Sequence, residues 1–155
     1  MAALSVALLP AAAPHASAAT HKKLLNNHLY VVNAYADTVS VIDTRTNRVV
    51  DSPIPVGSTP GAAATDALRG RAFVTNSRSG TVSVINTYTY TNTIFGCPIP
   101  VGDDPGAVTT DALRGGAYVP NGGSDTVSAI DTITNTALGA PIPVGDGPGG
   151  LALGR

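Results

Sequence analysis

Hydrophobic and polar positions alternate over the first four residues of three stretches, Thr38–Asp43, Thr81–Asn86 and Thr126–Asp131, which read TVSVID, TVSVIN and TVSAID. A period of two predicts β-strands. Val39 and Val41 share one face of the first, and Thr38, Ser40 and Ile42 the other. Val82 and Val84, then Val127 and Ala129, repeat the apolar face. The opposite face carries small hydroxyls and Ile and no charge, so each strand is expected to be packed on both sides. An aromatic-Val segment ending in Asn comes before each strand: residues 30–33, 73–76 and 118–121. A Pro-Ile-Pro-Val-Gly segment comes after each, at residues 53–57, 98–102 and 141–145.

These parts make one unit present in three copies. Ser40, Ser83 and Ser128 stand 43 and 45 residues apart; Pro53, Pro98 and Pro141 stand 45 and 43 apart. The extra two residues of the second copy lie within residues 86–92, between the central strand and the Pro-Ile-Pro strand. Insertions of that kind belong to exposed hairpin tips.

A unit opens with small residues, 61–65 (GAAAT) and 106–110 (GAVTT), with a third such run at 149–153 (GGLAL). Side chains this small suit an inner strand where several sheets converge. Residues 66–70 and 111–115 both read DALRG. An Asp that bonds the following backbone and a Gly free to take positive φ predict a tight turn there. The last strand holds two prolines two residues apart, so neither position donates to a ladder on the same side, which marks a sheet edge. Four antiparallel strands per unit follow, running from a small-residue inner strand to a proline-guarded outer one. Pro120 is expected to end its strand early, since it too lacks an N–H. Helix is expected nowhere in residues 29–155, and residues 1–18 are the one stretch that could form it.

Phe73-Val-Thr-Asn76 resembles the signature of the YVTN family of β-propeller repeats, and residues 30–33 and 118–121 are close variants of it. Val41-Ile-Asp43, Val56-Gly57 and Pro60 also fall where that family has them. The resemblance implies an all-β chain of propeller blades, about 29–60, 61–105 and 106–155. It also implies a binding scaffold of bacterial or archaeal surfaces, periplasm or medium. Members of the family are typically seven-bladed. A lactonase-like hydrolytic propeller is the alternative in another class. Against it, the inner strands hold no carboxylate or histidine.

Composition narrows the picture. Of 155 residues only 12% are charged, the net charge is −1, and Lys and Arg form no patch beyond Lys22-Lys23. No nucleic-acid footprint is evident. Residues 2–13 form an apolar run too short to span a bilayer, and Ala16-Ser17-Ala18 is a small-x-small cleavage site. Residues 1–19 are therefore expected to be a signal peptide or an Ala-rich tail, 20–28 a linker, and the protein exported. His15, His21 and His28 match no metal-ligand spacing and are read as solvated. The single cysteine, Cys97, excludes a disulfide within the chain. Ser52 and Ala140 at the equivalent positions suggest a small residue filling a small space.

The motif search gives no nucleophile elbow, phosphate loop or Ca²⁺ loop, and no cofactor is expected. Residues 145–150 are Gly-rich but repeat residues 102–106, and so read as a link between units. Ligands of propellers usually sit at the axis or on the face with the links and the second-to-third-strand loops. On that face the chain places Tyr35, Asp37, Arg78, Asp103, Asp104, Asp125 and Asp146. They form a mildly acidic candidate surface for an unknown protein or small molecule. Three units fall short of a closed ring. Residues 149–153 could pair beside residues 29–33, two chains could make a six-bladed ring, or the chain is a fragment of a longer propeller. The open apolar faces of such an arc are expected near Val39 and Val41 at one end, and near Val127 and Ile130 at the other.

Overall fold

A computed structural model of the chain describes residues 27–88 and 92–154. The readings made for residues 1–26, the signal segment and most of the linker, lie outside the described residues. Strands account for all regular structure among the described residues. No helix there is long and apolar enough to cross a membrane.

Sheet 1 holds β1 (His28–Asn33), β2 (Thr38–Asp43) and β3 (Arg48–Pro55), in that order and antiparallel. Sheet 2 runs β4 (Pro60–Asp66), β5 (Arg71–Asn76) and β6 (Thr81–Asn86); two short pieces, β7 (Thr93–Ile94) and β8 (Ile99–Pro100), both pair with β6. Sheet 3 repeats this with β9 (Thr109–Asp111), β10 (Gly116–Asn121), β11 (Thr126–Asp131), β12 (Thr136–Ala137) and β13 (Ile142–Pro143). The period-2 strands are thus β2, β6 and β11, each in the middle of its sheet.

Two apolar cores lie between consecutive sheets. Val39, Val41 and Ile54 of sheet 1 meet Ala72, Val74 and Ile85 of sheet 2. Phe73, Val82, Val84 and Ile99 of sheet 2 meet Ala117, Val119 and Ile130 of sheet 3. Alternate residues of β5 thus face opposite neighbours. Val39 and Val41 are buried inside the array, not on its open end as the sequence suggested. Ile130 is likewise buried against sheet 2. The open faces carry Leu29, Val31 and Ile42 on sheet 1, and Val127, Ala129 and Ile142 on sheet 3.

The repeated Asn explains why each unit keeps its Thr-Val-Ser. The amide Nδ2 of Asn33 donates to Thr38 Oγ1 (3.1 Å) and Ser40 Oγ (2.9 Å) across the β1–β2 hairpin. Asn76 does the same to Thr81 and Ser83, at 3.1 and 3.0 Å, and Asn121 to Thr126 and Ser128, at 3.0 and 2.9 Å. One side chain locks the register of two strands in every unit.

Five further expectations need correction. β10 continues through Pro120 to Asn121, because the proline carbonyl accepts from Gly106 N (2.9 Å) and its missing N–H is not needed. The outer strand is not a single strand in the second and third copies. It breaks at Gly96 and Gly139, which have φ of 71° and 63°; Asp51 at the same position of β3 has φ 62°. Cys97 follows that break and is exposed, so it fills no small space. Residues 149–154 form no strand and make no ladder with β1. His28 is half-buried, with its ring edge-on to Tyr30.

Candidate functional site

The β1–β2, β5–β6 and β10–β11 loops, the two links between units and the equivalent segment 144–148 after the third unit gather at one end of the strands. Their backbone is held by a repeated set of bonds. The end of each outer strand returns to the loop of its own unit: Val56 N to Asp37 O (2.9 Å), Val101 N to Gly80 O (3.0 Å), Val144 N to Asp125 O (2.9 Å). Each link then reaches the loop of the next unit, through Ser77 N to Thr59 O (2.9 Å) and Gly122 N to Asp104 O (3.0 Å). Ser58 N and Asp103 N donate to Ser79 Oγ and Ser124 Oγ, at 2.7 and 2.6 Å.

This set divides the candidate residues. Asp37 and Asp125 are the left-handed residues of their loops, both with φ 53°, a position that Gly80 fills in the second unit. Their Oδ1 atoms accept from Thr59 N (2.7 Å) and Gly147 N (2.8 Å). Both carboxylates therefore fasten a link. Asp104 has φ 49° and gives its carbonyl to the next loop. The carboxylates of Asp103, Asp104 and Asp146 are exposed and make no hydrogen bond among the described residues. Tyr35 and Arg78 sit exposed at loop tips, and no contact among the described residues joins them. The face thus presents five carboxylates against one guanidinium, and three of those carboxylates are uncommitted.

The opposite end is built differently. Asp66 is fully buried: its Oδ1 accepts from Leu68 N and Arg69 N (both 3.1 Å), and its Oδ2 from Arg69 Nη1 (2.9 Å) and Thr132 Oγ1 (2.7 Å). Arg69 Nη1 also donates to Ala112 O (2.6 Å), so one turn ties sheet 2 to sheet 3. Asp43 and Asp131 lie below the usual carboxylate range, held there first by backbone N–H donors in the turn that follows each. Asp111 is lowered too, chiefly by the Arg114 side chain. Burial pushes the Tyr30 hydroxyl up to about 12; it donates to Asn92 Oδ1 (2.7 Å) and so joins sheets 1 and 2.

One concave feature was missed in the sequence. A cleft of about 360 Å³ lies on the outer rim between sheets 2 and 3, lined by Phe95, Cys97, Ile99, Asn135 and Ala137 among others. The guanidinium of Arg71 stacks 3.9 Å over the Phe95 ring beside it. The broken outer strand opens this cleft, and the Gly96-Cys97-Pro98 and Gly139-Ala140-Pro141 runs were its signal.

Consecutive antiparallel sheets face to face, with the edge strand β1 of sheet 1 beside the inner strand β4 and β4 beside the inner strand β9, define the architecture. The fold is that of a β-propeller. The hydrazine synthase of Kuenenia stuttgartiensis superposes with a TM-score of 0.69 at 25% identity, over 77% of this chain and 33% of that one. AztD from Citrobacter koseri gives 0.56 at 16% identity over 72% of this chain and 30% of its own. The dihydro-heme d1 dehydrogenase NirN, solved in complex with DHE, gives 0.59 at 17% over 79% and 27%. All three are propeller proteins, and this propeller segment spans about a third of their length or less. No family model matches the chain, and no curated protein is similar to it.

Proposed function

We propose that this chain is an exported propeller scaffold of the YVTN-repeat type that binds a cationic ligand or a basic protein segment on its loop face. The observation that supports this most is the division of labour among the acidic residues. Asp37 and Asp125 are consumed in holding the links, while Asp103, Asp104 and Asp146 stand on the same rigid face with free carboxylates. Uncommitted charges of one sign on a fixed backbone attract the opposite charge without a cost for ordering the loop. Tyr35 adds an exposed ring, a surface on which an ammonium or guanidinium can sit. Export, to the periplasm, surface or medium, rests on the apolar run and cleavage site of residues 1–18.

The test replaces Asp103, Asp104 and Asp146 together by Asn and measures binding of a fluorescent oligolysine peptide at low salt. Three exposed charges at a few tenths of a kcal/mol each should weaken binding about three- to tenfold and leave the melting temperature unchanged. Equal affinity of the variant and the parent chain would overturn the reading.

A further inference from the structure

The junction between sheets 2 and 3 supplies a template for what the array leaves open. Sheet 2 offers Phe73, Val82, Val84 and Ile99 to it, and sheet 3 answers with Ala117, Val119 and Ile130. One repeat further on, the first set becomes Tyr118, Val127, Ala129 and Ile142 on the outer side of sheet 3. One repeat back from sheet 2, the second set becomes Leu29, Val31 and Ile42 on the outer side of sheet 1. Both sets lack a covering sheet among the described residues. Ile142 is 50% exposed where Ile99 is 3%, and Leu29 is 52% exposed where Ala117 is 0%.

Three further details of the template are half-built at these ends. Gly57 and Gly102 lie against the Asn of the next sheet so closely that a Cβ on either would stand 2.6 or 2.7 Å from Asn76 or Asn121 Cγ. Gly145, the same residue of the third unit, has nothing within 4 Å, and of the three repeated asparagines Asn33 alone has no such glycine against it among the described residues. Thr132 bonds Asp66 in the preceding sheet, whereas its equivalent Thr44 turns its hydroxyl back to Asn27 O (2.8 Å), and Asp111 has no threonine. Finally, β1 has an edge that pairs with no strand among the described residues, and residues 149–153 repeat the inner-strand pattern without pairing there.

We propose that the outer side of sheet 3 docks on the outer side of sheet 1 of a second copy of this chain, head to tail. Gly145 of each copy then lies over Asn33 of the other. The occupant is a second copy because each open side matches the other's repeat equivalents: glycine to asparagine, Asp111 to Thr44, the 149–153 segment to the β1 edge. Two copies use both open sides twice and close at six sheets, within the range of propellers, whereas three alone do not close.

The full chain should sediment at twice its own mass. Ile142→Glu and Leu29→Lys alter half-exposed positions on opposite sides, so each variant keeps its fold and should sediment as a monomer. Mixed in equal amounts, the two variants should recover the dimer. In that pair one junction is unaltered and the other holds both substitutions, of opposite charge. A monomeric parent chain, an open polymer, or single variants that remain dimeric would overturn the proposal. Loss of circular dichroism in either variant would be met by substituting Ile142→Thr and Leu29→Thr, with the same outcomes expected.

Discussion

Asn76 carries the smallest piece of the design. It is fully buried, and its amide makes the Thr81 and Ser83 bonds that tie β5 to β6. Each such bond is worth about 1 kcal/mol net, and leaving the two hydroxyls unpaired adds to the loss. Asn76→Ala should therefore destabilise the chain by about 2–3 kcal/mol, read as a lower urea midpoint. A loss under about 0.5 kcal/mol would show that the clamp is not what holds the hairpin. The recurrence of Asn, Thr five residues on and Ser seven residues on is plain in all three units, yet the sequence suggests only that Asn ends a strand. The bond pattern emerges only when the hairpin register puts Asn opposite Thr, two residues from Ser. Cys97 was misjudged for a related reason: its counterparts in the other two units, Ser52 and Ala140, are small, but the positive φ at Gly96 throws it out of the sheet.

At the scale of elements, turns and strand edges divide the work. The Asp that opens a turn accepts from the backbone two or three residues on: Asp43 from Arg45 N and Thr46 N, Asp131 from Ile133 N and Thr134 N, Asp111 from Arg114 N. The Arg114 side chain first for Asp111, and these backbone bonds first for Asp43 and Asp131, favour the ionised form, and the folded values of all three lie below the ordinary 3.8. The unfolded chain therefore binds protons more readily than the folded one. The contribution is fully present above the ordinary aspartate value and is lost as pH falls toward the lower folded values. Urea midpoints should drop steeply as pH falls from about 5 toward about 2. Asp111→Asn should flatten that drop while lowering the midpoint at neutral pH; an unchanged slope would rule the turn carboxylate out as a source of acid sensitivity. These turns were legible, since Asp and Gly at fixed spacing have one local solution. The two-piece outer strand was less so, because the prolines mark an edge but say nothing of where it bulges.

For the molecule as a whole, the repeat length and the strand patterns suffice to predict stacked antiparallel sheets. Which residues face outward at the ends depends on the hand in which successive sheets stack. Period-2 alternation leaves that hand open, so Val39 and Val41 were assigned to the wrong side. β5 makes the consequence measurable. Phe73 points into the core shared with sheet 3, and its neighbour Val74 into the core shared with sheet 1. Each buried core joins two consecutive sheets, so stability should divide by junction. Phe73→Ala should cost about 3–5 kcal/mol and Val74→Ala about 2 kcal/mol, both by leaving a cavity. Followed by hydrogen exchange, Phe73→Ala should remove protection first from β10 and β11 and spare β1 and β2. Val74→Ala should do the reverse. Equal loss of protection across all three sheets in both variants would mean that the array opens as one unit, with the junctions too strongly coupled to fail separately.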